Sequence, residues 1–236
     1  MISSRDNERL KLVRKLHERR WRDKLGLFAV EGEDAVAAAT ATPVDLLRAG
    51  DNVEARLLAE VATAPHPPRV IAVYRHSDLP AFEPRPATLA LWRVADPGNV
   101  GALIRTADAF GAAVWLSEGC ADPTGPKALR ASTGSIWRVP VAGPGVLPAG
   151  RRVALVAHGG VPLADVDLCG PTVFLLGAER DGLPDEVGRD VDAWIPIAGA
   201  ESLNVAAAGA IALYEWRRQI QTESSSPRHG ARSNQP

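Results

Sequence analysis

Apolar positions follow two regimes along the chain. Up to about residue 87 they come in short runs broken by charge and proline; beyond it they form near-continuous blocks that recur at regular intervals. In the first regime, residues 5–24 set Leu10, Val13, Leu16 and Trp21 at roughly helical spacing among charged neighbours, which predicts one amphipathic helix. Residues 27–32 (LFAVEG) read as a short strand and 33–39 as a short helix, and further apolar runs fall at 53–61 and 70–74. Pro65-His66-Pro67-Pro68 reads as a loop, because proline neither donates to a strand ladder nor continues a helix. A second proline cluster, Pro80, Pro84 and Pro86, reads as a linker and puts a domain boundary near residue 87.

The second regime predicts strands at 88–96, 112–117, 137–141, 151–158, 172–179 and 194–199. A helix is expected at 99–110 and a short helical or loop segment at 127–133. Apolar strands alternating with helices predict an α/β fold built on a mostly parallel sheet. Residues 195–204 read as strand and loop, followed by one helix with Ser202 as its N-cap. That helix continues through Ala206, Ala207, Ala208, Gly209 and Ala210, so another backbone is expected to come close to it. Residues 223–236 are polar and are expected to form a disordered tail.

Composition narrows the class. A chain of 236 residues allows one large domain or two small ones, and 46% hydrophobic residues suffice for a real core. Cys120 and Cys169 stand far apart with no C-x-x-C, which excludes a disulfide framework and a zinc ribbon and fits a reducing cytosol. No run reaches membrane-spanning length, the charged N-terminus is not a secretory signal, and no ligand cluster suggests a metal. A cytoplasmic protein is expected. The net charge of −1 means that any nucleic-acid surface is local. Residues 5–24 carry nine basic and four acidic side chains, so nine minus four leaves +5. Such a face is either merely solvated or turned toward RNA, with Arg14, Arg19, Arg20 and Arg22 as its candidates.

Ligands of α/β sheets bind beyond the carboxyl ends of the strands. The usual nucleotide and hydrolase signatures are missing: there is no G-x-G-x-x-G after a first strand, no P-loop and no G-x-S-x-G. Three polar clusters occupy the strand ends instead. In residues 95–112, Asn99 opens a helix in which Arg105 lies amid apolar neighbours and must find an acceptor, either a ligand or a structural carboxylate. Residues 175–186 hold Gly177, Glu179 and Gly182 in a tight loop; residues 195–204 hold Ser202, Leu203 and Asn204.

In this order and at these separations the clusters resemble the three motifs of the SpoU (TrmH-like) family of RNA ribose 2′-O-methyltransferases, in the SPOUT superfamily. Asn99, Gly101 and Arg105 match N-x-G-x-x-x-R; Gly177, Glu179 and Gly182 match the second motif. Ile195, Pro196, Ser202, Leu203 and Asn204 match the third, with Glu215 at its usual downstream acid. Pro126, Arg130, Ser132 and Gly134 resemble the family's P-x-x-x-R-x-S-x-G segment, which adds Lys127 and Arg130 to the RNA-binding candidates. A weaker likeness links residues 1–87 to a small α/β ribosomal-protein-L30-like RNA-binding domain, through Asn7, Lys11, Leu16, the RRWR run and Val30-Glu31-Gly32.

The resemblance implies an L30-like domain over 1–87 and a parallel-sheet SPOUT domain with a deep trefoil knot over 88–222. It implies S-adenosyl-L-methionine as cofactor, rRNA or tRNA as substrate, and a homodimer formed through the C-terminal domain. Backbone at Gly177, Ile195 and Leu203, with apolar cover from Leu176 and Ile197, is expected to hold the cofactor. Arg105, Asn99, Glu179, Ser202 and Asn204 are the catalytic candidates. A non-catalytic RNA-binding paralogue would lose motif polar residues, and all are present. A class I methyltransferase would need a glycine-rich loop after its first strand, and none exists.

Overall fold

The computed structural model describes residues 1–178 and 181–225. The single helix expected over 5–24 is two, α1 (Glu8–Leu16) and α2 (Arg19–Leu25). Glu18 takes an extended conformation between them, while Asn7 caps α1 by accepting from the Arg9 amide. Leu10, Val13 and Leu16 are buried as their spacing requires. Strands β1 (Leu27–Glu31), β2 (Asp45–Arg48) and β3 (Val70–Arg75) form an antiparallel sheet in the order β1-β3-β2. Helix α3 (Glu33–Ala37) follows β1, and α4 (Ala55–Val61) packs with α1 in a small core of its own.

The second sheet begins at β4 (Ala87–Leu91), where the proline-rich stretch ends. It continues through α5 (Pro97–Phe110), β5 (Ala113–Leu116), α6 (Pro126–Ser132), β6 (Val141–Ala142), β7 (Arg151–Leu155), β8 (Val161–Pro162), β9 (Thr172–Leu176), β10 (Val191–Trp194) and α7 (Val205–Ser225). Its seven strands are all parallel, in the order β6-β5-β4-β9-β7-β10-β8. Several expected elements shift. Residues 137–141 hold no full strand: Ser135–Trp137 is a 3-10 turn that buries Trp137 in the core, and only Val141–Ala142 pair. Residues 195–199 are loop, because β10 starts at Val191 and ends at Trp194. Helix α5 starts at Pro97, two residues before Asn99. Asp96 caps it by accepting from the amides of Gly98 and Asn99, and the proline at its first turn lacks a donor that would go unpaired there anyway. Helix α7 runs three residues into the expected tail, whose residues 226–236 lie outside the described residues.

The two sheets share one core. Phe28, Val30, Ala72 and Tyr74 from the first belong to the same core as Leu89 and Phe174 from the second, Leu103 of α5 and Trp137 of the 3-10 turn. Tyr74 meets Trp137 edge-on at 4.7 Å between ring centroids, and Phe28 lies 5.6 Å from the same ring. Around these rings, Arg22 joins Asp122, His76 lies 3.3 Å from the Thr124 hydroxyl, and Arg130 donates to the Thr63 hydroxyl at 2.6 Å. A Cβ on Gly134 would stand 2.5 Å from Ala38 Cβ, so this glycine lets α3 approach. The segment Pro126 to Gly134 is therefore in large part a seam between the sheets.

Small residues in α7 have a comparable reason. A Cβ on Gly209 would overlap Leu103 of α5 and come within 3.3 Å of Leu176 at the end of β9. The close approach is thus to the chain's own helix and sheet, while Ile211 and Tyr214 on the same helix stay exposed.

Candidate functional site

Strands β9, β7 and β10 are neighbours, and their carboxyl ends open onto a cavity of about 510 Å³. Leu176, Gly177, Ile195, Ile197, Ser202, Leu203 and Asn204 all line it. The sheet thereby brings together residues from the second and third motifs that lie as far apart as 28 positions (204 minus 176) in the chain. Gly177 is required sterically: a Cβ there would overlap the carbonyl group of Gly182 and stand 2.5 Å from the Leu183 amide nitrogen. The turn that creates this crowding closes with the Gly182 amide donating to the Ala178 carbonyl at 3.0 Å.

The first motif joins through a hydrogen bond between Asn204 and Asn99. Asn204, not Ser202, is the N-cap of α7: its Oδ1 accepts from the amides of Ala206 at 2.9 Å and Ala207 at 3.4 Å. With Oδ1 committed to the cap, the amide group Nδ2 is directed at Asn99 Oδ1, 3.1 Å away. Asn99 sits in the first turn of α5, so this contact fastens the starts of α5 and α7 together at the rim of the cavity. Beside it, the Asp96 carboxylate accepts from Lys127 Nζ at 2.8 Å, and that bond is the chief reason its pKa lies below the ordinary value.

Arg105 stands apart from this cluster. The side chain is exposed, does not line the cavity and has no hydrogen-bond or ion-pair partner among the described residues. The acceptor that its apolar neighbours called for is not found among the described residues, and the arginine projects from the face of α5 opposite the buried Leu103 and Ala107. Glu179 lies outside the described residues. Glu215 is structural: Arg218 grips it through two bonds of 2.7 and 2.8 Å, and Gln219 binds both it and the Val166 carbonyl.

The expected RNA-facing arginines divide. Arg19 and Arg20 are exposed, in ion pairs with Asp23 at 3.6 Å and Glu18 at 2.8 Å; Arg14 is partly exposed and donates to the Arg5 carbonyl. Arg22 does not face RNA. It is 4% exposed, with Nε and Nη2 on Asp122 and Nη1 on the Leu16 and His17 carbonyls. Lys127 is exposed beside Asn99, whereas Arg130 is turned into the seam toward Thr63 and Glu31.

Sequence reasoning left out Leu155, Val156 and Ala157, which line the cavity at the end of β7 and just past it, together with His158 and Glu201. The first four lay in the strand predicted over 151–158, whose end was the only signal for them, and Glu201 lay in the third polar cluster without matching a motif position. Among the described residues no three His, Cys, Asp or Glu side chains gather as a metal site would require, and no helix is long and apolar enough to cross a membrane.

Residues 86–214, more than half the chain, match the SpoU rRNA Methylase family. The chain belongs to this family. Among its SpoU-type relatives is the 23S rRNA (guanosine(2553)-2'-O)-methyltransferase RlmP of Bacillus subtilis, 31% identical over 92% of this chain and 98% of the relative. An uncharacterised tRNA/rRNA methyltransferase of Synechocystis is 32% identical over 96% of both chains. In structure, the chain is similar to the SpoU methyltransferase AviRb from Streptomyces viridochromogenes in complex with AdoMet, at a TM-score of 0.80, 28% identity, and coverage of 92% of this chain and 99% of that one. An AdoMet-bound rRNA methyltransferase from Sinorhizobium meliloti gives a TM-score of 0.80 at 29% identity over 93% of this chain and 97% of that one. The seven-stranded parallel sheet is thus the SpoU sheet.

Proposed function

We propose that this SpoU family protein is an S-adenosyl-L-methionine-dependent RNA methyltransferase that modifies a ribose 2′-hydroxyl of rRNA, in preference to tRNA. The observation that carries the reading is the junction of all three motifs: the cavity gathers the second and third, and the Asn204–Asn99 bond ties in the first. The cavity suits the cofactor. Its volume falls within the roughly 300–1,000 Å³ of small-molecule sites, and Gly177 lets the Gly182–Leu183 backbone close against the end of β9 beside it. Backbone groups at Gly177, Ile195 and Leu203 would hold the cofactor, under apolar cover from Leu176 and Ile197. When bound, it supplies an electrophilic methyl group on a sulfonium sulfur.

The protein must align a ribose hydroxyl with that methyl, so that the O–CH3 bond forms as the S–CH3 bond breaks to leave the demethylated thioether, and stabilise the oxygen as its proton passes to solvent. Asn99, Ser202 and Asn204 orient the ribose by hydrogen bonds, with Glu179 as a further polar member of the group. Arg105 holds an RNA phosphate and stabilises the developing alkoxide. It does not act as a base, because a guanidinium with a pKa above about 12 keeps its proton. Its exposure, with no acceptor among the described residues, supports a role toward substrate.

The reading extends to architecture. Residues 1–87 form an L30-like unit that supplies RNA affinity, and residues 88–222 form the methyltransferase unit with a deep trefoil knot. The exposed Ile211 and Tyr214 on α7 are consistent with a homodimer through that unit, working in the cytoplasm. Calorimetry with S-adenosylmethionine and its demethylated product, followed by mass mapping of 2′-O-methyl nucleotides in rRNA and tRNA incubated with the enzyme, tests the proposal. A chain without affinity for either molecule refutes it; methylation confined to tRNA refutes the substrate assignment.

A further inference from the structure

We propose that α2 is a stacking platform for an unpaired RNA nucleotide, with Trp21 as the ring and Lys15, Arg20 and Lys24 as its phosphate contacts. The proposal rests on the reading of the chain as an RNA methyltransferase and specifies which feature of the RNA the N-terminal unit holds. Three cations surround one half-exposed indole: Lys15 Nζ at 5.4 Å, the Arg20 guanidinium carbon at 5.6 Å and Lys24 Nζ at 5.2 Å from the ring centroid. Each such contact is weak at an exposed site, so flexible chains over the ring yield readily to a better occupant.

A nucleotide is that occupant. Its base offers a flat π-face to the indole, and its phosphate offers the negative charge that the displaced cations require. Lys15 and Lys24 have no ion-pair partner among the described residues, so they reach a phosphate without first breaking a salt bridge. Arg20 exchanges Glu18 for phosphate. A duplex is poorly suited, because its bases are already stacked on one another. An acidic peptide would match the charge but leave the indole face without a planar partner.

The other face of α2 adds a positional argument. Arg22 follows Trp21 directly and is fixed to Asp122 by bonds of 2.6 and 2.8 Å, beside the loop that leads into α6. Trp21 is therefore held at a set place relative to the sheet that carries the cavity. A base captured there fixes the register of the RNA on the enzyme.

The test uses the full-length chain and a labelled single-stranded oligouridine, beside an RNA hairpin of equal length, with binding measured by fluorescence anisotropy at several salt concentrations. Trp21→Ala should weaken single-strand binding about tenfold while leaving the salt slope unchanged, since no charge is removed. Trp21→Phe should restore most of the affinity. Lys15→Ala with Lys24→Ala should lower the slope by about 0.7 for each lysine. Affinity for S-adenosylmethionine should be the same in every variant, which checks the fold. Wild-type affinity in Trp21→Ala, or a Trp21-dependent affinity as high for the hairpin as for the single strand, overturns the proposal. A wild-type chain that neither binds RNA nor methylates rRNA overturns the functional reading itself, and the two failures are distinguishable.

Discussion

Replacing Arg22 by alanine separates a structural arginine from an RNA-binding one. Arg22 is 4% exposed and its partner Asp122 13%, and four bonds of 2.6 to 2.9 Å converge on the guanidinium. Truncation leaves a largely buried carboxylate with only Thr124 as side-chain partner among the described residues, and leaves the Leu16 and His17 carbonyls without this donor. Breaking a buried pair from one side costs about 3–5 kcal/mol. For a chain of this size each kcal/mol lowers the thermal midpoint by about 2–4 °C, so a fall of roughly 6–20 °C is expected. The double variant Arg22→Ala/Asp122→Ala should lose less than the sum of the single losses, because no orphan charge remains. The effect also depends on pH. Burial pushes the Asp122 carboxyl upward, but Thr124 and Arg22 outweigh it and hold the group below its ordinary value of 3.8. A carboxyl depressed in this way contributes stability above its unfolded pKa and loses it as pH falls through the folded value. The deficit of Arg22→Ala should therefore be full at neutral pH and shrink in acid below about pH 4, where the wild type loses the same contribution. Scanning calorimetry across this range, with RNA binding at several salt concentrations, decides the matter. An unchanged midpoint together with a shallower salt slope would put Arg22 on the RNA and refute the reasoning.

Arg105→Lys keeps the charge but loses the planar fork, and should cut single-turnover methylation by about a hundredfold with cofactor affinity unchanged; a full rate removes Arg105 from the catalytic group. Gly177→Ala places a Cβ against Gly182 and Leu183, so calorimetry should show weakened cofactor binding and about 1–3 kcal/mol of lost stability; wild-type affinity would mean that this turn does not shape the site. Ile211→Glu combined with Tyr214→Glu buries two charges in any interface formed by α7 and should convert a dimer into a 25.0 kDa monomer by light scattering. A wild type already monomeric at micromolar concentration refutes the dimer.

The parallel sheet was legible because β4, β5 and β9 are buried at every position and so appear as unbroken apolar blocks. Strands β2, β8 and the start of β10 were not, since their half-buried positions carry Asp45, Pro162 and Asp192. The break between α1 and α2 was hidden for a different reason: His17 and Glu18 have ordinary helix propensity, and only tertiary contacts turn the chain there. Within the candidate site, the resemblance to the family's motifs marked Asn99, Gly177 and Asn204, but it gave no sign that Asn204 would do the capping expected of Ser202. Cap geometry depends on backbone conformation at the residue itself, which periodicity does not encode. Charge counting failed at Arg22 because a formal charge carries no direction; the carboxylate that turns it inward is 100 positions away.

The aromatic seam has a consequence for how the protein comes apart. Tyr74 and Phe28 on one side, and Trp137 and Leu89 on the other, each cover apolar surface that would otherwise meet water. A chain cut in the proline-rich stretch between Leu79 and Ala87 would release two fragments, each with a sticky, ring-lined flank. Neither behaves as an interchangeable cassette, and heating the intact chain should melt both sheets in one cooperative step.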